Sequence, residues 1–195
     1  MIPADLLLHA YRSAVFPMAE AGGEVSWYSP DPRAIIPLDD GFHVPHGLRR
    51  VLRKGRFEIR LNAGFEAVMR VCAEREETWI NEEIIASYTN LHRLGHAHSV
   101  EAWLDGRLAG GLYGVALGGA FFGESMFHTV TDASKVALHA LVMRLRARGF
   151  SLLDTQWITP HLATFGAHEI SRRDYTRRLR ACVDAPCEFL DTPPE

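Results

Sequence analysis

Residues 99–127 read SVEAWLDGRLAGGLYGVALGGAFFGESMF, three apolar runs separated by Asp105-Gly106 and Gly118-Gly119. Dipeptides of this kind accept the positive backbone angles of tight hairpin loops, so the stretch predicts an antiparallel meander. The remaining segments must pack on that sheet. With 195 residues, 47% of them hydrophobic, the chain suffices for one domain and a small appendage.

A helix starting at Pro3 is expected to reach Tyr11, followed by a Pro-rich irregular arm, FPMAEAGGEVSWYSPDPRAIIP, folded on the larger domain. Next come a basic helix near 45–54, a strand near 57–61, and a helix capped by Asn62 that turns Phe65, Val68, Met69 and Cys72 inward. Asn81 opens another helix, which buries Ile84, Ile85, Tyr88 and Leu91 before Gly95 stops it. After the meander, a helix capped at Thr131 or Asp132 buries Leu138, Leu141, Val142 and Leu145 and ends at Gly149. A strand over SLLDTQWI, a basic helical stretch and a terminal strand near Cys187 to Leu190 complete the reading as an α+β domain with a largely antiparallel sheet.

No apolar run has the length of a membrane span, and MIPADLLLHAYRSAVF lacks the basic start of a secretory signal, so a cytoplasmic protein is expected. Cys72, Cys182 and Cys187 match no zinc spacing and are an odd set, which favours free thiols. Net charge is −3, but the basic residues cluster. Arg49, Arg50, Arg53, Lys54, Arg56 and Arg60 face one nearby acid, Glu58; Arg172, Arg173, Arg177, Arg178 and Arg180 face Asp174. Each cluster reads as a solvated helix face or as a phosphate-binding surface.

Asp154 and Gln156 interrupt an otherwise apolar strand, and alternation points both to one side. Such a pair either holds a loop in a buried hydrogen-bond network or lines the mouth of a cleft. Glu124 interrupts an aromatic run in GGAFFGESMFH, where a carboxylate is costly unless paired; the surroundings suit core packing or an apolar pocket with an acid at its rim. Trp79 and Trp103 fit the core or the cover of a site. His92, His96 and His98 straddle a helix end without a Cys or a clear carboxylate partner, which falls short of a zinc site. Walker, G-x-G-x-x-G and G-x-S-x-G patterns are missing, which withdraws their support from nucleotide hydrolysis, dinucleotide binding and that hydrolase class.

The ordered set AYRSAVFPM, WYSPDPRAIIP, TWI, LGHAHSVEAW, GGLYGVALGGAFFGESMF, ASKVAL, LLDTQ and FGAHEISRRDY, spanning Leu6 to Tyr175, closely resembles the leucyl/phenylalanyl-tRNA-protein transferases. The resemblance implies transfer of leucine or phenylalanine, less readily methionine, from aminoacyl-tRNA to acceptor proteins beginning with Arg or Lys, marking them for the bacterial N-degron pathway. It implies a GNAT-like acyltransferase domain over 34–195 behind a truncated N-terminal small domain over 1–33, acting as a monomer without metal or organic cofactor.

Carried over by motif, the catalytic acid and amide fall on Asp154 and Gln156, and a further essential acid on Glu124. The aminoacyl pocket falls on Leu112, Phe121 and Met126, with Leu141 and Leu145 behind. The terminal adenosine falls to Trp79 and Met18, and the Arg49, Arg50, Arg53, Lys54, Arg56 and Arg60 cluster becomes a platform for the tRNA acceptor stem. Met18 stands where many relatives have Trp, and Thr159 where Asn is common; Leu112, Leu141 and Leu145 differ in size or shape from the Met or Phe often found there. Two rival readings are an acyl-CoA-dependent N-acyltransferase, whose phosphate loop HTVTDASKVAL lacks, and a noncatalytic tRNA-binding module, which has no need of Asp154, Gln156 and Glu124 together.

Overall fold

The structure, a computed structural model, describes residues 1–191. The meander forms as expected: β5 (Ala97–Leu104), β6 (Arg107–Leu117) and β7 (Ala120–His128) pair antiparallel in sequence. Both residues of the first turn, Asp105 and Gly106, have positive φ, as a type I′ loop requires. The second turn places Gly118 at φ +55 against the Val183 carbonyl, where a Cβ would lie 2.1 Å from the oxygen.

Around the meander the sheet grows to seven strands in the order β4-β5-β6-β7-β8-β3-β9. The added strands are β3 (Arg33–Ile36), β4 (Glu58–Leu61), β8 (Leu152–Gln156) and β9 (His168–Ile170). All neighbours are antiparallel except β7 and β8. That parallel pair is joined by α5 (Ala133–Ala147), whose Val136, Leu138, Leu141, Val142 and Leu145 bury against one sheet face together with Leu48 of α2 (His46–Lys54). The other face is covered by α1 (Ala4–Arg12), α3 (Phe65–Ala73), α4 (Glu82–Arg93) and α7 (Arg172–Cys182). Gly110 of β6 admits α5 closely; a Cβ there would lie 2.6 Å from that of Ala133. The short α6 (Pro160–Ala163) follows β8 and is capped by Thr159. The result is an α+β protein with a mixed, mostly antiparallel sheet between helical layers. Among the described residues no helix is long and apolar enough to cross a membrane.

Several local expectations are corrected. The Pro-rich arm is ordered: β1 (Phe16–Ala19) and β2 (Val25–Tyr28) form a hairpin, and Arg33–Ile36 enters the main sheet between β8 and β9. Asn62 does not cap α3. It has φ +57 and its side chain accepts the Ser99 N–H, while Glu101 receives the N–H of the true N-cap, Gly64. Asp132 stands at the N-cap of α5 but pairs with Lys135 rather than bonding a helix N–H. Cys187 to Leu190 is irregular, and two of its carbonyls go to side chains rather than to a neighbouring strand: Arg144 donates to Phe189 O and Arg148 to Glu188 O. Asn81 does cap α4, accepting the Ile84 N–H at 2.9 Å.

Candidate active site

Strands β7 and β8 pair over a short register, from Ala120 with Leu152 to Phe122 with Asp154. Pairing stops there although β7 continues to His128 and β8 to Gln156. Each strand carries a bulge at this point. Tyr113 faces Ser125 and Gly114 faces Gly123, which leaves Glu124 as the extra residue of β7; Ala34 faces Gln156 and Ile35 faces Asp154, which leaves Thr155 as that of β8. A bulge bends its strand and re-aims side chains. The opening is a cavity of about 300 Å³ with Glu124 and Gln156 in its lining. Leu112, Met126, Leu138, Leu141, Leu153 and Leu162 give it an aliphatic lining, and Phe16, Met18, Trp79 and Trp157 add aromatic and thioether surface.

Asp154 is fully buried and does not line the cavity. Its Oδ1 accepts Arg33 Nε and the Gln156 N–H, both at 2.9 Å; its Oδ2 accepts Arg33 Nη2 at 2.6 Å and the Tyr175 hydroxyl at 2.8 Å. Arg33 is 1% exposed, lies between the rings of Phe16 and Tyr175 at 4.7 and 4.6 Å, and donates to Ala14 O. Burial opposes the charge on Arg33, but Asp154 more than offsets it and the guanidinium pKa is raised. A bidentate pair with every remaining lone pair occupied is the arrangement in which two buried charges are tolerable. Its product is backbone geometry, since the Asp154 bond holds Gln156 at φ +59, a conformation that costs a non-glycine residue energy.

Gln156 Nε2 donates to Glu124 Oε1 at 3.3 Å, and the Tyr11 hydroxyl donates to the same oxygen at 2.8 Å. Tyr88 in turn bonds Tyr11. Removal from water, with Asp154 adding repulsion, raises the Glu124 pKa to about 8 against the pull of the Tyr11 bond and of Arg33. Burial, reinforced by Glu124, also raises Tyr11 and Tyr88 well above the ordinary phenol value. An acid poised near neutrality in a cleft is a feature of functional sites.

Of the residues singled out from sequence, Glu124, Gln156, Leu112, Met126, Leu141, Trp79 and Met18 line this one cavity. Phe121 and Leu145 do not reach it; both are fully buried in the core shared with α5. Arg49, Arg50, Arg53, Lys54 and Arg56 are exposed on or just beyond α2, whereas Arg60 is committed to Glu58 through two hydrogen bonds and covers the Trp103 ring at 4.4 Å. Trp103 also donates to Glu101, away from the cavity. His92 stacks on Phe65 and His98 on Phe189. Arg33, Tyr11, Tyr88, Tyr175 and Trp157 join the site with little local sequence signal; the clearest is Arg33 itself, a charged residue opening the apolar run AII inside WYSPDPRAIIP.

The profile of the family described as "Leucyl/phenylalanyl-tRNA protein transferase" matches residues 35–180, and that of the N-terminal domain of the same family matches residues 1–31. A leucyl/phenylalanyl-tRNA-protein transferase of Gloeobacter violaceus is 57% identical over 186 residues, covering 95% of this chain and 96% of its own. The Herpetosiphon aurantiacus protein of that name is 56% identical, covering 95% and 96%, and the Paramagnetospirillum magneticum protein is 60% identical, covering 91% and 88%. Matches of this extent leave no part of the cavity outside the shared sequence, and the chain belongs to the leucyl/phenylalanyl-tRNA-protein transferase family.

Proposed function

We propose that this protein transfers leucine or phenylalanine, and less readily methionine, from aminoacyl-tRNA to the α-amino group of acceptor proteins beginning with Arg or Lys, creating a bacterial N-degron. The observation that carries this reading is the juxtaposition, in one cavity, of an aliphatic wall and the Glu124–Gln156 pair. A GNAT-like relationship is part of the proposal. It is supported by the parallel β7–α5–β8 unit, which opens where an acyl group would sit.

Aminolysis of an ester forms the N–C amide bond and breaks the C–O bond to the ribose, and one amine proton ends on the departing ribose hydroxyl. The ester is already activated, so holding a neutral amine against the carbonyl supplies much of the rate. An N-terminal amine titrates at about 7.7–8.0, so a useful fraction is neutral near pH 7. With Nε2 given to Glu124, the Gln156 carbonyl oxygen is the end left to accept an N–H from that amine. Asp154 acts through Gln156 as a positioning residue; its four accepted hydrogen bonds leave it no lone pair for a proton in transit. Glu124 holds the amine side of the reacting pair, and an ammonium placed there draws its raised pKa back down. Trp79 and Met18 take the terminal adenosine, and the exposed cations of α2 take acceptor-stem phosphates.

Labelled leucine and phenylalanine, each on its cognate tRNA, are offered to peptides beginning with Arg, Lys, Asp or Ala, with acetyl-CoA as a parallel donor. Transfer to the Arg and Lys peptides alone is expected. Transfer from acetyl-CoA, or none from either tRNA by folded protein, overturns the reading.

A further inference from the structure

Trp157 directly follows Gln156 and lines the same cavity, yet it remains 44% exposed. A tryptophan is an expensive residue to leave in water unless a ligand covers it. Its orientation is fixed by near-perpendicular packing: the Phe16 ring lies 5.4 Å away at 85° and Tyr28 6.4 Å away at 69°. The Trp157 N–H bonds the Thr155 carbonyl at 2.7 Å, which ties the residue to the bulge that aims Gln156. Trp157 is therefore the aromatic neighbour, in the same cavity, of the residue to which the proposed function gives the acceptor amine.

The chemistry of that side chain follows from what else lines the cavity. Among the described lining residues Glu124 is the one carboxylate; Tyr11 and Gln156 both donate to its Oε1, and the proposed function assigns it to the α-amine rather than to the side chain of the acceptor. Arg75 is the one fixed cation, and it sits on the Met126 carbonyl, on the β7 wall across the gap from Trp157. A second cation is thus steered to the β8 wall, where the attraction available to it is an aromatic face. Indole is the strongest of the natural side chains in this role.

Building on the proposed transfer to N-terminal Arg or Lys, we infer that Trp157 is a specificity-determining residue, whose indole face receives the cationic side chain of the acceptor's first residue. A nucleobase of the donor RNA is the competing occupant, but the proposed function gives that role to Trp79 and to Met18 of β1, which line the cavity beside Phe16.

The test compares peptides beginning with arginine and with citrulline, its neutral isostere, as acceptors for wild type, Trp157→Phe and Trp157→Leu. Equilibrium binding of both peptides without RNA is measured by calorimetry alongside transfer. Wild type is expected to favour arginine, Trp157→Leu to lose about 3- to 30-fold of that preference, and Trp157→Phe to keep most of it, with KM for aminoacyl-tRNA unchanged throughout. An arginine preference that survives in Trp157→Leu overturns the inference. So does a rise confined to the aminoacyl-tRNA KM, which would reassign the indole to a base. Absence of transfer by wild type is a failure of the proposed function instead, and the calorimetric preference still decides the role of Trp157.

Discussion

The cavity between β7 and β8 and the basic face of α2 are both rich in polar groups, but they are built in opposite ways. In the cavity region each charge is fixed by named neighbours: Arg33 by Asp154, Ala14 and two rings, Asp154 by Arg33, Tyr175 and the Gln156 N–H. On α2, Arg50, Arg53 and Lys54 extend into solvent with no ion-pair partner among the described residues. Fixed dipoles at short range suit the handling of reacting atoms, and mobile charges at long range suit the capture of a polyanion. The contrast matches the proposed division, with chemistry in one region and encounter in the other.

The largest effect is expected from breaking the buried pair. Arg33→Met leaves Asp154 buried and uncompensated, a defect worth about 3–5 kcal/mol, visible as a lower denaturation midpoint together with loss of transfer. Adding Asp154→Leu is expected to recover stability without recovering transfer; recovery of both would show that the pair serves the fold alone. On the other side of the comparison, Arg49→Glu, Arg50→Glu and Arg53→Glu together are expected to leave the melting profile intact. They should weaken binding of aminoacyl-tRNA and lower the slope of log affinity against log salt by about 0.7–0.9 per lost phosphate contact.

Much of this contrast is legible in sequence on the α2 side and little of it on the cavity side. A charge cluster is a local property, so the α2 cations are read directly; the Glu58 and Trp103 partners of Arg60 are not, because they depend on side-chain placement on β4 and on strand pairing. The meander and the Asn81 cap are likewise local. Asp154 and Gln156 are visible as anomalies, but Arg33 lies 121 residues from Asp154, and Tyr11 lies 113 from Glu124. The bulges that bring Glu124 and Gln156 together are register shifts between strands, with no residue pattern of their own. The same limit explains Phe121 and Leu145: period-2 and period-3.6 patterns identify an inward face without saying whether that face meets core or cavity.

Two smaller effects sharpen the cavity side. Leu141→Phe intrudes on the aliphatic lining and is expected to lower the phenylalanine-to-leucine ratio of kcat/KM about 10-fold, measured with both charged tRNAs in competition; an unchanged ratio would remove Leu141 from the pocket. Glu124 adds a pH dependence of stability. The unfolded chain releases this proton near 4.5, while the native protein holds it to about 8, so the native state binds more protons between those values and this contribution to stability falls as pH rises through the window. Glu124→Gln has no such proton to lose, and its melting temperature relative to wild type should climb from pH 5 to pH 8. A flat difference would mean that Glu124 is already ionised in the native protein.

The proposed division of labour is tested most directly on Gln156, the cavity residue to which the proposed function gives the amine. Gln156→Ala is compared with wild type in single-turnover transfer at saturating aminoacyl-tRNA, with the dissociation constant of the tRNA measured on the same preparation. A fall in rate of about 100-fold or more, with the dissociation constant nearly unchanged, is the expected result. An unchanged single-turnover rate, or a loss appearing only in tRNA affinity, would contradict the assignment of chemistry to the cleft between β7 and β8.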